Sequence, residues 1–172
     1  MVQNIAITGF NREKLKSVGK ALAEMLEMYY VDTIELYEFD HIPHTMTDML
    51  KAQGRKEFRH KEIGTIGYVT DFSNAVITFE TGAIKSAKNV KTLKSTCELV
   101  YLYEDVLDVK AKLDSDKYAS GELKKFFNIP LNSIKLRSEK LIKISDVVVE
   151  IDRKTPKMIA GEILAKMQQK YC

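Results

Sequence analysis

The chain has 172 residues, enough for one domain that buries roughly 70% of its unfolded surface without disulfide or metal staples. Hydrophobic residues make up 45% and charged residues 30%, an ordinary globular balance, and no apolar run nears the ~20 residues that span a bilayer. A net charge of +3 is too small to argue for nucleic acid. The N-terminus lacks a charged segment followed by a long apolar core, so the expectation is a cytoplasmic protein with no secretory signal and no membrane partner.

In chain order, Ile5-Ala6-Ile7-Thr8 is a short buried strand. Val18, Leu22, Met25 and Leu26 come next at i, i+4, i+7 and i+8, one face of a helix. Residues 28–31 read as a second strand. From 40 to 61 the composition turns polar and carries all three histidines, His41, His44 and His60. Residues 45–59 have a helical pattern, and Gly64 and Gly67 are expected to interrupt the chain beyond it. A third strand spans 75–79, a helix 85–93 and a fourth strand 98–103. Residues 105–113 read as a helix, and the polar "DSDKYASG" as a loop, so 110–125 is expected to project as a lid. A helix over 136–144 precedes a fifth strand over 146–151. Pro156 opens the last helix, where a missing N–H costs nothing, and Ile159, Ile163, Leu164 and Met167 give it an apolar face. Apolar strands alternating with helices predict an α/β fold, a five-stranded parallel sheet with helices on both faces.

Several features read as structural. His41 and His44 are three apart with no third ligand of clear spacing, so no metal site is expected. Cys97 and Cys172 lack metal-ligand spacing and read as free thiols of a reducing compartment. Met25, Met28, Met46, Met49 and Met158 read as core and subdomain filler. Lys85, Lys88 and Lys91 fall on one helix flank with Lys94 beyond. Without interleaved aromatics they form a solvated face rather than a nucleic-acid surface.

The chemistry begins at the first strand-to-helix turn, since ligands of open α/β sheets bind beyond the carboxyl ends of the strands. A P-loop, G-x-x-x-x-G-K-[ST], uses glycines so that backbone N–H groups can crowd the phosphates, a Lys for the β and γ oxygens and a hydroxyl for Mg²⁺. Counting from Gly9, Lys14 stands at the second Gly, Leu15 at the Lys and Lys16 at the Ser/Thr. A one-residue insertion would instead bring Lys16 and Ser17 into the Lys-Ser roles. Arg12, Lys14 and Lys16 at a helix N-terminus can attract an anion, but side chains at glycine positions fill the space a phosphate needs. The alternative is a solvated basic turn that caps a helix.

Read whole, the chain resembles the shikimate kinases of the P-loop kinase superfamily. The family's "G-x-x-G-x-G-K-S-T-x-G" is "GFNREKLKSVG" here, with Gly9, Ser17 and Gly19 matching without a gap. Its "D-S-D" is "DTI": Asp32 stays, in the position that helps organise Mg²⁺, and Ile34 replaces the Asp that binds substrate hydroxyls. Its "F-R-x-x-E" is intact as "FRHKE", Phe58 to Glu62. Its triple glycine is "ETG", leaving Gly82, and its helix and fifth strand are matched by "RSEKLIKISDVVVEID", with Arg137 kept and Leu141 in place of a Tyr. The resemblance implies a helical substrate-binding subdomain around 33–62 and a lid around 110–125, where Lys117 stands in for a nucleotide-contacting Arg. It implies ATP and Mg²⁺ as cofactors and ATP-dependent phosphorylation of the shikimate 3-hydroxyl. It also gives Arg59, Gly82 and Arg137 as the substrate-binding set, since a guanidinium fork holds a carboxylate through two parallel bonds.

Three functions are compatible with these residues. The first is a shikimate-kinase-like protein with a degenerate ATP site, weak or inactive, that keeps a small anion such as shikimate or a related hydroxy acid, or a protein partner. The second is an active kinase with Arg12, Lys14, Lys16 and Lys117 as a rebuilt phosphate clamp. The third is a non-enzymatic interaction domain, in which Arg59 and Arg137 are salt-bridge partners of groups such as Glu62 or Asp32.

Overall fold

In the computed structural model of the chain, which describes residues 4–40, 46–115 and 128–171, the apolar runs become five strands. They are β1 (Asn4–Gly9), β2 (Tyr29–Asp32), β3 (Ala75–Glu80), β4 (Cys97–Tyr103) and β5 (Val147–Glu150). All neighbours are parallel, in the order β2-β3-β1-β4-β5. The central β1 is buried along its whole length, as a strand covered on both faces must be. Its register sets Ile7 beside Thr78 of β3 and Val100 of β4. The period of two then sends Ile5, Ile7, Val76 and Val100 to one face, and Ala6, Ile77, Leu99 and Tyr101 to the other.

The first face is covered by α1 (Arg12–Leu26) and α7 (Pro156–Tyr171), through Leu15, Val18 and Leu22 of the one and Ile159 and Ile163 of the other. The second is covered by α3 (Met46–Thr70), α4 (Ala87–Thr96) and α6 (Leu131–Ile144), through Ile66, Val69, Leu93 and Leu141. A smaller cluster packs Ile34 and Tyr37 of α2 (Thr33–Asp40) on Leu50 and Phe58 of α3, with the Tyr37 and Phe58 rings edge to face at 5.3 Å. A 3₁₀ turn over Thr81–Lys85 follows β3, and α5 (Val106–Ser115) follows β4. Among the described residues, no helix is long and apolar enough to cross a membrane.

Three expectations need correction. Gly64 and Gly67 do not interrupt the chain: α3 runs through both to Thr70, and its one break is at Gly54, with φ 79° and ψ 174°. Each interior glycine costs about 1 kcal/mol of helix propensity, and burial of Ile66 and Val69 at helical spacing overrides it. Met25 and Met158 are not core; both are exposed. Lys85 is not on a helix flank but ends the 3₁₀ turn, one residue before Ser86 caps α4. Cys97 is buried and free. His41, His44 and Cys172 lie outside the described residues.

Candidate functional site

The carboxyl ends of β1, β2 and β3 carry Gly9, Asp32 and Glu80, and the first turn joins β1 to α1 through Phe10 and Asn11 alone. The turn is short because Asn11 caps the helix. Its Oδ1 accepts the Lys14 N–H at 3.0 Å, a bond worth about 1 kcal/mol. Helical geometry therefore begins at Arg12, and the stretch that a P-loop places between strand and helix lies within α1.

Each basic side chain of that turn meets another part of the chain. Arg12 Nη2 lies 3.4 Å from Asp32 Oδ1, and Nη1 lies 3.7 Å from Glu80 Oε1. Lys14 Nζ donates to the Lys154 carbonyl at 2.8 Å, and Lys16 pairs with Glu35 of α2. The Ser17 hydroxyl donates to the Glu13 carbonyl one turn back, at 2.8 Å. Leu15 is 2% exposed in the first-face core. Gly19 is where α1 meets β2 and β3: a Cβ there would sit 2.6 Å from Thr78 Cγ2 and 2.7 Å from Tyr30 Cε2. Gly9 lies close to β4 too, where a Cβ would sit 3.1 Å from Leu102 Cβ and 3.2 Å from its carbonyl oxygen.

Asp32 is buried where β2 becomes α2. Its Oδ1 accepts the N–H groups of Ile34 at 2.9 Å and Glu35 at 3.1 Å, so it caps α2. Oδ2 accepts the hydroxyls of Thr78 at 3.3 Å and Tyr30 at 3.4 Å. Burial, with Asp32 and Glu35 nearby, pushes the Tyr30 phenol up to about 12 against the opposing bond from Thr78. Ile34 faces the small α2–α3 core instead of the site.

The other half of the site forms around the 3₁₀ turn. Arg59 Nη1 donates to both oxygens of Glu62, at 2.8 and 2.9 Å, one helical turn on. The guanidinium lies against Gly82 so closely that a Cβ would come within 2.0 Å of Nη2. Burial pushes the Glu62 carboxyl up, with Arg59 acting against it. Arg137 reaches from α6 to the same turn, donating through Nη1 to Thr81 Oγ1 at 3.4 Å, while its Nε is buried with no partner. Burial, then the like charge of Arg59, lowers the Arg137 guanidinium from its ordinary value.

The structure thus gathers Gly9, Arg12, Asp32 and Glu80 at one place, and Arg59, Gly82 and Arg137 at another beside it. Lys14, Lys16 and Ser17 point to partners outside both. Lys117 and the rest of residues 116–127 lie outside the described residues. Lys85 and Arg55 are close enough to Arg137 for their charges to be felt; no motif marked Arg55, and periodicity assigned Lys85 to a solvated helix flank instead. Among the described residues no group of three His, Cys, Asp or Glu side chains can hold a metal ion.

A parallel sheet in this order, with its site at the carboxyl ends, defines a P-loop kinase fold. The model of the shikimate kinase family matches residues 16–168, and the chain belongs to that family. A shikimate kinase of Sulfurihydrogenibium sp. is 26% identical over 172 residues, covering 98% of this chain and all of the relative. An Arabidopsis thaliana chloroplast protein, named a probable inactive shikimate kinase like 1, is 26% identical over 156 residues, covering 90% of this chain and 54% of its own length. Among solved structures, shikimate kinase from Acinetobacter baumannii in complex with shikimate superposes with a TM-score of 0.84 at 23% identity, covering 99% of this chain and 95% of that one. At that identity the likeness speaks for the fold.

Proposed function

We propose that this member of the shikimate kinase family keeps the anion-binding half of the site and lacks a working grip on a nucleotide. Phosphoryl transfer to the shikimate 3-hydroxyl is then weak or absent, and the protein holds a small anion such as shikimate or a related hydroxy acid. The observation that carries this is the capped helix start at Asn11, which folds Arg12 to Ser17 into α1. The residues present do not fit Mg²⁺ and a triphosphate. No bare backbone loop is left to wrap phosphate, Leu15 is core where a Lys would reach β and γ oxygens, and Ser17 is bonded within its own helix. Arg12 also sits on Asp32, the group that resemblance gives to Mg²⁺. Phosphoryl transfer depends on positioning and charge stabilisation, so losing these groups together removes most of the rate.

The other half supports binding. Two guanidiniums from different elements converge on one glycine-containing turn, with Glu62 fixing the rotamer of Arg59. On this reading α2 and the first part of α3 form the substrate-binding subdomain over 33–62, closed by the core of Ile34, Tyr37, Leu50 and Phe58. The relative named probable inactive agrees with the reading.

Calorimetry with millimolar MgATP is expected to give no binding heat, while shikimate raises Tm in a thermal-shift assay and Arg137→Met abolishes the rise. Steady turnover of shikimate with ATP would overturn the proposal in favour of a rebuilt clamp. No shift with any small anion would leave an interaction domain.

A further inference from the structure

Ser133, Leu136, Arg137 and Lys140 fall at i, i+3, i+4 and i+7, one face of α6. With Ile84 and Lys85 of the 3₁₀ turn they line a cavity of about 230 Å³. Three of the six lining residues are cations, one offers a hydroxyl and none is a carboxylate. That volume is below the ~300–1,000 Å³ of drug-sized sites, so it admits a head group rather than a whole large ligand.

The charges around it do not balance. Glu62 is taken up by Arg59, and Glu80 by Arg12 on the nucleotide side. Lys140 is held on the Ile84 carbonyl at 2.5 Å. Among the described residues neither Lys85 nor Arg137 has a carboxylate partner, and Arg137 keeps a buried Nε without an acceptor. A single carboxylate would satisfy one of the two. Resting on the reading that Arg137 lines an anion site, we propose that this cavity takes a doubly charged oxyanion head group, a phosphate monoester or a dicarboxylate, in preference to a monocarboxylate, and that Lys85 sets the preference. Partial desolvation, then the like charges of Arg137, Arg59 and Arg55, pushes the Lys85 ammonium below the ordinary lysine range.

The test is calorimetry on the full chain at pH 7.5 with glycerol 3-phosphate, malate and shikimate. A hydrogen bond to a charged group contributes about 1.5–3 kcal/mol, so at least one of the two dianions should bind roughly tenfold or more tighter than shikimate. Whichever does identifies the head group. Lys85 is exposed and its replacement should leave the fold intact. Lys85→Met should bring the dianion down to the affinity of shikimate with shikimate itself little changed, and Lys85→Arg should restore the preference. If shikimate binds through Arg137 as tightly as both dianions do, or Lys85→Met leaves the preference standing, this inference fails while the proposed function stands. If no anion binds, both fail.

Discussion

Replacing Leu15 by Lys writes the missing P-loop residue back at the position the gapless match gives it. In a loop, the new ammonium would reach solvent or phosphate. In this structure Leu15 is 2% exposed within the core formed by α1, α7 and the sheet. Truncating such a leucine to alanine typically costs about 2–5 kcal/mol, and a charged group in the same place must also be desolvated or forced out. The expected loss is therefore at least ~3 kcal/mol. At roughly 2–4 °C per kcal/mol for a chain of this size, Tm should fall by about 6 °C or more. The assay is thermal melting of wild type and Leu15→Lys, each with and without millimolar MgATP. A ligand at 100 times its Kd stabilises by about 2.7 kcal/mol, a rise of about 5–11 °C, so restored binding would not be missed. A variant that melts with wild type, or whose Tm climbs with MgATP, would refute the idea that α1 has absorbed the loop.

Gly82→Ala should lower Tm by several degrees, because a Cβ 2.0 Å from Arg59 Nη2 pushes the guanidinium off buried Glu62. The same displacement should weaken shikimate binding about tenfold by calorimetry. Gly19→Ala should cost stability alone. Its clashes at 2.6 and 2.7 Å are with Thr78 and Tyr30, which are bonded to each other at 3.0 Å, so overpacking should cost about 1–3 kcal/mol in denaturant melts with little change in anion affinity. Asp146 ties β4 to the last helix, accepting from the Leu99 N–H and from Lys170, both at 3.0 Å. Burial alone would raise its carboxyl, but these donors outweigh it and hold the folded value below the ordinary 3.8. Its stabilisation is therefore full above that value and lost as pH falls through the lower folded one. Wild type should exceed Asp146→Asn in stability at neutral pH, and the gap should close in melts taken below about pH 4.

The fold was legible because the strands are continuous apolar runs, and β1 and β3–β5 stand within a residue or two of where those runs end. Helix α3 was not, because two glycines suggest a break when only composition is weighed, whereas Ile66 and Val69 anchor the helix to the sheet through tertiary contact. The first turn shows a different limit. Gly9 and the basic residues after it draw attention to phosphate chemistry, yet Asn11 before Arg12-Glu13-Lys14-Leu15 is also an N-cap followed by a helix start. The cap was legible, and the structure starts α1 at Arg12. At the other half of the site, "FRHKE" announced Arg59 and the i,i+3 partner Glu62. Periodicity placed Lys85 on a solvated helix flank, because the 3₁₀ turn that ends at Lys85 and puts it in a cavity with α6 residues leaves no mark in the spacing.

The difference between the two halves is one of charge balance rather than charge number. At the first turn every cation has an internal acceptor: Arg12 with Asp32 and Glu80, Lys14 with a carbonyl, Lys16 with Glu35. Such a cluster is strongly basic in sequence and nearly neutral in space, which supports the proposed weak pull on a triphosphate. At the 3₁₀ turn the balance runs the other way. Glu62 answers Arg59, and Glu80 pairs with Arg12 at 3.7 Å while acting on Arg137 only at longer range. Arg12 therefore touches both halves: it pairs with Asp32 and with Glu80, whose charge also reaches Arg137. An incoming anion then meets Lys85, Arg137 and Lys140 between the 3₁₀ turn and α6, three cations that, among the described residues, have no carboxylate in ion-pair contact.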